Sequence, residues 1–513
     1  MQTDYQRFFT ETTLKFLFLS VFLFVSFNSF SQKSVSDQIP FEMRGVWVAT
    51  VMNIDWPSKP GLGTKIQQEE AIAILERAKS LGFNTIFLQV RPVGDALYHS
   101  CKEPWSAFLT GREGKQPEPF YDPLQFWIDQ AHQRGLELHA WINPFRASLH
   151  FNNSSNPSNA MVKHKDWLVR YGERYYFDPG IPEARDYLMK VVADIVNRYD
   201  IDGLHLDDYF YPYPIKDVVF NDDRSFDLYG KGMQRDAWRR QNVDEVIKSL
   251  NQTVKQIKPW VKFGVSPFGV WRNIATDPTG SDTTAGVECY DDLHADILLW
   301  ERQGWIDYVI PQIYWTTNDI PANYIKLLDW WNTVTLNRHL YIGHALYKIN
   351  ASTPFWEIAS EMPNQIRLAR QRENVTGSVF FSMVHLNRND LLGFQDSLKF
   401  DLYQTPALTP RMPWLGSGRP QPVKNLEVTG RLVRWEAGKS ENIENQSKRY
   451  IVYLEPANRK ARIGGPILFM TGEEHFLLPE RHPRDRARYQ LSVIAVDRLS
   501  NLSIGNPTLR VSF

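Results

Sequence analysis

From residue 41 onward one pattern recurs eight times: a short apolar run of five to seven residues, a loop, and an amphipathic stretch. The runs fall at 44–50, 85–91, 137–143, 203–209, 263–267, 308–314, 340–345 and 377–382. Strands separated by helices pair in parallel, because each crossover carries the chain back to the end from which the previous strand set out. Eight such units close on themselves as a (β/α)8 barrel. The barrel is expected over 41–403, longer than the roughly 250 residues typical of the fold. The excess lies in loops, among them a long excursion after the third run, and long loops gathered on one face build a specialised cleft.

At the centre of the pattern stands Asp200-Ile201-Asp202-Gly203-Leu204-His205-Leu206-Asp207-Asp208-Tyr209-Phe210-Tyr211-Pro212. In an extended segment Leu204 and Leu206 point to the side opposite His205 and Asp207. Inside a barrel the leucines would face the helices and the polar set the axis, which leaves Asp207 at the carboxyl end, where this fold places chemistry. Two earlier runs read the same way. Ile86, Leu88 and Val90 alternate with Gln89 and Arg91, and Leu138, Ala140 and Ile142 alternate with His139, Trp141 and Asn143. Gln89, Arg91, Asn143, Asp207, Ser266, Gln312 and Tyr314 are therefore expected to converge at the open end. A layer of mutually satisfied polar groups is the structural alternative, with Asp207 and Arg91 as an internal ion pair. His205, one layer deeper, is expected as a hydrogen-bonded interior residue.

Carboxylates between aromatic walls suit a sugar, whose ring faces are apolar. Tyr209 and Tyr211 follow the acids, and Trp271, Arg272 and Trp315 stand on later loops; most of the 17 Trp are expected in the core. Glycoside cleavage needs one carboxyl group to protonate the leaving oxygen and another to stabilise the oxocarbenium-like state or activate water. Asp207 fits the second role. No Glu stands in phase at a strand end for the first, which leaves Asp208 and Asp291 as candidates, with Asp178 and Asp55 on other loops. Asp178 and Asp291 precede helices and read first as caps. An adjacent Asp pair also fits a metal-dependent polysaccharide deacetylase, but that chemistry needs His ligands, commonly four residues apart on a helix. Among the 12 His no two are four apart, so neither a metal nor a cofactor is expected. No phosphate loop or Ser-centred nucleophile elbow is present. A glycan-binding protein without turnover is the alternative from another class.

Lys+Arg and Asp+Glu are equal at 58 each, so no global field draws in nucleic acid or an anionic membrane, and the expected partner is a neutral or nearly neutral polysaccharide. Lys15, the apolar run 16–25 and the small residues that follow have the layout of a signal peptide over 1–31, cleaved after Ser31. The run is short for a membrane span, an uncleaved anchor being the alternative, and no Cys lies nearby for lipidation. A periplasmic or secreted protein with no membrane span after signal removal is expected. Cys101 and Cys289 do not make a disulfide framework; a single bridge between them is the minor alternative. Residues 404–422, rich in Pro and Gly, read as a linker. Beyond them 423–513 carries short alternating strands at 426–428, 432–435, 450–453, 475–478, 489–496 and 508–512. These predict an all-β, fibronectin III-like sandwich, with Trp435 in its core and Tyr489 as a corner tyrosine.

Several ordered blocks carry a resemblance. They are Arg44-Gly45-Val46-Trp47, Asp55-Trp56-Pro57, Phe87-Leu88-Gln89-Val90-Arg91-Pro92, Pro104-Trp105-Ser106, Tyr121-Asp122-Pro123-Leu124, His139-Ala140-Trp141-Ile142-Asn143-Pro144 and Asp178-Pro179-Gly180. Asp207-Asp208-Tyr209-Phe210-Tyr211, Gly264-Val265-Ser266-Pro267, Trp271-Arg272-Asn273 and Pro311-Gln312-Ile313-Tyr314-Trp315 continue them, and Tyr341-Ile342-Gly343 and Tyr347-Lys348 follow more loosely. Together they resemble the glycosyl hydrolase-like 10 family, a known member of which is an envelope enzyme that cuts peptidoglycan glycan strands. The resemblance implies a (β/α)8 barrel, hydrolysis of a β-linked glycan, and a site around Asp207 and Asp208 with Gln89, Arg91, Asn143, Arg272, Gln312 and Tyr314 as cleft residues. The sandwich and the two cysteines lie outside the family pattern.

Overall fold

Eight parallel strands close into a barrel in chain order, each neighbour hydrogen-bonded to the next and the last to the first. They are β1 (Met43–Val48), β2 (Thr85–Arg91), β3 (Glu137–Ile142), β4 (Gly203–Leu206), β5 (Lys262–Val265), β6 (Tyr308–Val309), β7 (His339–Ala345) and β8 (Val375–Phe381). This computed structural model describes residues 39–149, 156–335, 337–456, 467–480 and 488–512. The expected signal peptide over 1–31 lies outside the described residues. Residues 41–513 fold as one unit.

The two phases of each strand go to two cores. Val46, Ile86, Leu88, Leu138, Leu204 and Leu206 face outward into the layer shared with the helices. Trp47, Phe87, Trp141, Tyr308, Tyr341 and Val379 fill the barrel itself. Interior rings of this size need small neighbours. A Cβ on Gly203 would lie 2.4 Å from the His139 ring, and one on Gly264 would lie 2.3 Å from the Tyr308 ring. One principal helix follows each of the first seven strands: α1 (Thr64–Ser80), α2 (Pro123–Gln133), α3 (Pro182–Arg198), α4 (Arg235–Ile257), α5 (Ile297–Arg302), α6 (Tyr324–Val334) and α7 (Glu361–Arg370). Asp122 caps α2 ahead of Pro123, its carboxylate accepting from the Gln125 N–H. The helix start expected at Asp291 lies further on: Asp296 caps α5. Asp178 accepts from the Gly180 N–H at 2.8 Å and holds a turn, while α3 begins beyond it at Pro182. The excursion after β3 contains a two-stranded hairpin, Leu168–Tyr171 with Arg174–Phe177, which no sequence signal had separated from loop.

The C-terminal residues form a three-stranded and a four-stranded antiparallel sheet. The first is β9 (Lys424–Thr429), β10 (Leu432–Glu436) and β13 (His475–Leu477); the second is β11 (Arg449–Pro456), β12 (Ile467–Thr471), β14 (Tyr489–Val496) and β15 (Thr508–Val511). Trp435 is in their shared core, as expected. Strand β12 was not anticipated.

These sheets sit against the amino-terminal end of the barrel. Glu137, at the start of β3, is buried there and accepts from Lys262 at 2.7 and 2.8 Å and from the Thr409 hydroxyl at 2.5 Å, with the Arg449 guanidinium 3.0 Å away. Asp200 pairs with Lys448 and Arg498. Residues 404–422, expected as a linker, run along this floor as a packed strap: Ala407, Leu408, Thr409 and Met412 are buried, and the Trp414 indole donates to Asp307 at 2.8 Å. Proline and glycine mark a segment without its own ladder, and apolar residues within it still seek cover.

Candidate active site

The β4 strand ends at Leu206, so the alternation that would turn Asp208 away from Asp207 stops one residue too early. Both carboxylates enter the same cavity at the carboxyl end of the barrel. Its volume is about 440 Å³, and its walls include Trp47, Gln89, Trp141, Arg146, Tyr209, Tyr213, Phe268, Gln312, Tyr314, Trp315, Tyr347, Lys348 and Phe381. Rings from three strands and four loops thus surround two acids, a shape that receives a largely apolar-faced ring with polar edges.

Asp207 is held by a relay that begins on the backbone. The N–H groups of Thr50 and Val51 donate to Gln89 Oε1 at 2.9 and 2.8 Å, Gln89 Nε2 donates to Asn143 Oδ1 at 2.7 Å, and Asn143 Nδ2 donates to Asp207 Oδ2. The Tyr209 N–H donates to the other oxygen at 3.3 Å, and the Arg146 guanidinium lies 3.9 Å from Oδ2 while stacking on the Tyr209 ring at 4.7 Å. Each step fixes an amide orientation, so the carboxylate is positioned by groups with no other arrangement open to them. Burial pushes the Asp207 pKa up, opposed by Arg146, the Asn143 amide and the Tyr209 N–H. Asp208 has less support. Its carboxylate accepts from the Tyr213 hydroxyl, and burial together with the neighbouring Asp207 charge pushes its pKa up to about 7. Both carboxyls are thus pushed toward the protonated form, and only Asp207 has a guanidinium and an amide beside it that favour its charge.

Gln312, Tyr314, Trp315, Gln89 and Tyr209 line the cavity as the sequence predicted, and Asn143 reaches it through Asp207. Other candidates stand elsewhere. Arg91 does not face the cavity, because the β2 to β3 register shifts between Gln89 and Arg91 and breaks the strand's phase there. Its guanidinium instead forms a buried pair with Glu103, at 2.7 to 3.0 Å, and donates to the Asn143 carbonyl. The internal pair with Asp207 is likewise absent. Tyr211 is buried against Phe220 and His294 rather than in the wall. Trp271 stacks on Trp330 at 5.8 Å, and Arg272 is held between Asp291, at 2.7 Å, and Asp277. Asp291, Arg272 and Trp271 form a cluster of their own outside the cavity lining, joined by charge pairing that no spacing signals. Asp55 ties two loops together, accepting from the Ala49 N–H at 2.7 Å, the Ser382 hydroxyl at 3.0 Å and the Val384 N–H. His205 is interior, its Nε2 accepting from the Trp47 indole at 3.2 Å with the Ser266 hydroxyl 3.0 Å away, as expected.

Arg146, Tyr213 and Lys348 were missed. Arg146 and Tyr213 lay within reach of the pattern, three residues beyond the end of the third run and at the end of the aromatic run; Lys348 stands in the Tyr347-Lys348 block of the resemblance, but no periodicity marks it as a wall residue. Cys101 is exposed and Cys289 buried, both as free thiols. Among the described residues no three His, Cys, Asp or Glu side chains converge as metal donors, and no helix is long and apolar enough to cross a membrane.

The family model described as glycosyl hydrolase-like 10 matches residues 42–357, which encloses β1 to β7 and every residue of the relay. The chain belongs to the glycosyl hydrolase-like 10 family. Its similarity to relatives extends further. It is 44% identical over 473 residues to the glycosyl hydrolase YngK of Bacillus subtilis, covering 90% of this chain and 92% of that protein. It is 41% identical over 372 residues to the glycosyl hydrolase DigH of Escherichia coli, covering 67% of this chain and 84% of the relative. Among solved structures, the PgaB glycoside hydrolase domain of Bordetella bronchiseptica matches 70% of this chain and 99% of that domain at 13% identity, with a TM-score of 0.44. As a member of glycosyl hydrolase-like 10, the chain is a hydrolase of glycosidic bonds on a TIM-type barrel.

Proposed function

We propose that this enzyme cuts a cell-wall glycan, the glycan strands of peptidoglycan, outside the cytoplasm after an N-terminal signal over 1–31 is removed. One observation carries the chemistry: two adjacent buried carboxyl groups in an aromatic cavity, Asp207 beside a guanidinium and an amide that favour its charge, Asp208 beside Asp207 and pushed up to about 7. In this reading Asp208 gives its proton to the departing glycosidic oxygen. Asp207, oriented by Asn143 and Arg146, faces the positive charge that develops at the anomeric carbon. Two carboxyls whose environments separate their proton affinities are the arrangement that acid-assisted glycoside cleavage requires. Gln89 and Asn143 are positioning residues; Tyr209, Gln312, Tyr314 and Trp315 hold the sugar.

The C-terminal sheets, three strands facing four, support a fibronectin III-like module. Bonded to the barrel floor, it would act as a spacer that turns the cavity toward the wall. To test the function, purified protein is incubated with isolated glycan strands and new reducing ends are counted. Release by the parent and its loss in Asp207→Asn and Asp208→Asn is expected; cleavage by either variant at the parental rate sinks the assignment of that acid. Sequencing the exported protein tests the signal, with Gln32 expected as its first residue.

A further inference from the structure

Four cavity side chains carry formal charge: Asp207, Asp208, Arg146 and Lys348. With one proton held by the Asp207–Asp208 pair, one carboxylate shares the cavity with a guanidinium and an ammonium, so the cavity holds one positive charge in excess although the whole chain balances. Arg146 is committed to Asp207 and to the Tyr209 ring. Lys348 is not committed in this way. It is half-buried, its ammonium donates to the Tyr314 carbonyl at 2.6 Å and lies 5.9 Å from the Trp356 ring, and among the described residues no carboxylate stands within 4.0 Å of it. An ammonium has three donors and is strongly hydrated, so partial burial against one carbonyl costs free energy, which Asp319, beyond ion-pairing distance, offsets only in part. Burial accordingly draws its pKa down.

Barrel order fixes where this charge sits. Lys348 follows β7, Asp207 and Asp208 follow β4, and Arg146 follows β3; β3 and β7 are four strands apart in either direction around the closed sheet. The acids that follow β4 are three strands from β7, so a sugar that fills the cavity between them presents one edge to the acids and another to Lys348.

We propose that Lys348 is a specificity-determining residue that receives a carboxylate carried on the bound sugar, the lactyl ether carboxylate of an N-acetylmuramic acid residue. This rests on the cell-wall glycan reading above and adds the group that selects its ring. A neutral glycan would leave the ammonium unpaired in the closed complex, whereas the lactyl carboxylate completes it. A charge-assisted hydrogen bond of this kind contributes about 10- to 100-fold in binding.

The test uses peptide-free glycan strands of alternating N-acetylglucosamine and N-acetylmuramic acid, and the same strands with their carboxylates converted to methylamides. Binding of each to the full-length protein is measured by calorimetry for the parent, Lys348→Met and Lys348→Arg. The parent should bind the acid form about 10- to 100-fold more tightly than the amide. Lys348→Met should bind both at the level of the amide, Lys348→Arg should restore part of the preference, and rising salt should narrow it. Equal binding of both forms by the parent overturns the proposal without any variant, as does a Met variant that weakens both equally, since a merely structural lysine would do that. Turnover is read separately: a parent that keeps the binding preference but releases no reducing ends refutes the hydrolase reading and leaves Lys348 as the carboxylate receptor.

Discussion

Replacing Asp208 by Asn separates function from stability. Its pKa is raised from 3.8 to about 7, chiefly by burial and then by the Asp207 charge. In the unfolded chain the carboxyl ionises near its ordinary value, while the folded protein retains the proton until about pH 7. The folded state therefore binds more protons between those values, and stability falls as pH rises, by about 1.4 kcal/mol per pH unit. Across the whole window this amounts to roughly 4 kcal/mol, an upper figure because local relaxation and the coupled Asp207 absorb part of it. Asn cannot ionise and keeps an oxygen to accept from Tyr213. The variant should match the parent in stability near pH 4, gain steadily above it, and reach its full advantage near pH 8. Thermal denaturation of both proteins at pH 4.5, 6 and 8 measures this, and reducing-end release measures the accompanying loss, expected at about 10²- to 10⁴-fold. A stability difference that is flat in pH, or a variant less stable at pH 8, would refute the account of Asp208 as an acid held against its own ionisation.

Asn143→Ala removes the amide that donates to Asp207, so the carboxylate form is less favoured; kcat/KM should fall about 10- to 100-fold and the acidic limb of the pH profile should move to higher pH. Glu137→Gln leaves Lys262 and Arg449 buried without their carboxylate and should lower stability by about 3–5 kcal/mol in thermal or denaturant unfolding, with turnover per folded molecule retained. Glu137 lies well below the usual carboxylate range because Lys262 and Arg449 outweigh its burial, so its contribution is present above pH 4.5 and fades as acid reaches the depressed pKa. Deleting 423–513 uncovers the strap, removes Arg449 from Glu137 and takes both ion-pair partners of Asp200; the shortened chain should express at a lower melting temperature than the parent, and an unchanged melting temperature would contradict the packed floor.

The eight barrel strands were legible because period-two alternation and helix-length spacers are local properties of the chain, and each predicted run overlaps its strand. Asp207 was legible for the same reason: parity with His205 against two leucines places it on the axis. Asp208 was legible as a candidate acid but its orientation was not, since its entry to the cavity depends on where β4 stops pairing. The misplacement of Arg91 has one cause, a register shift set by the neighbouring strand. Asp291 and Arg272, 19 residues apart, satisfy each other through a loop whose path no periodicity describes.

The sequence by itself determined the number and order of the strands, the phase of their side chains and the strand that bears the acids, because those follow from backbone geometry acting over a few residues. Tertiary structure alone decided which charged and polar groups stand beside each acid, which cations face the cavity and what the 404–422 strap covers. Each of these depends on burial and on partners distant in the chain, and electrostatic free energy is set by the surroundings a group acquires when the barrel closes.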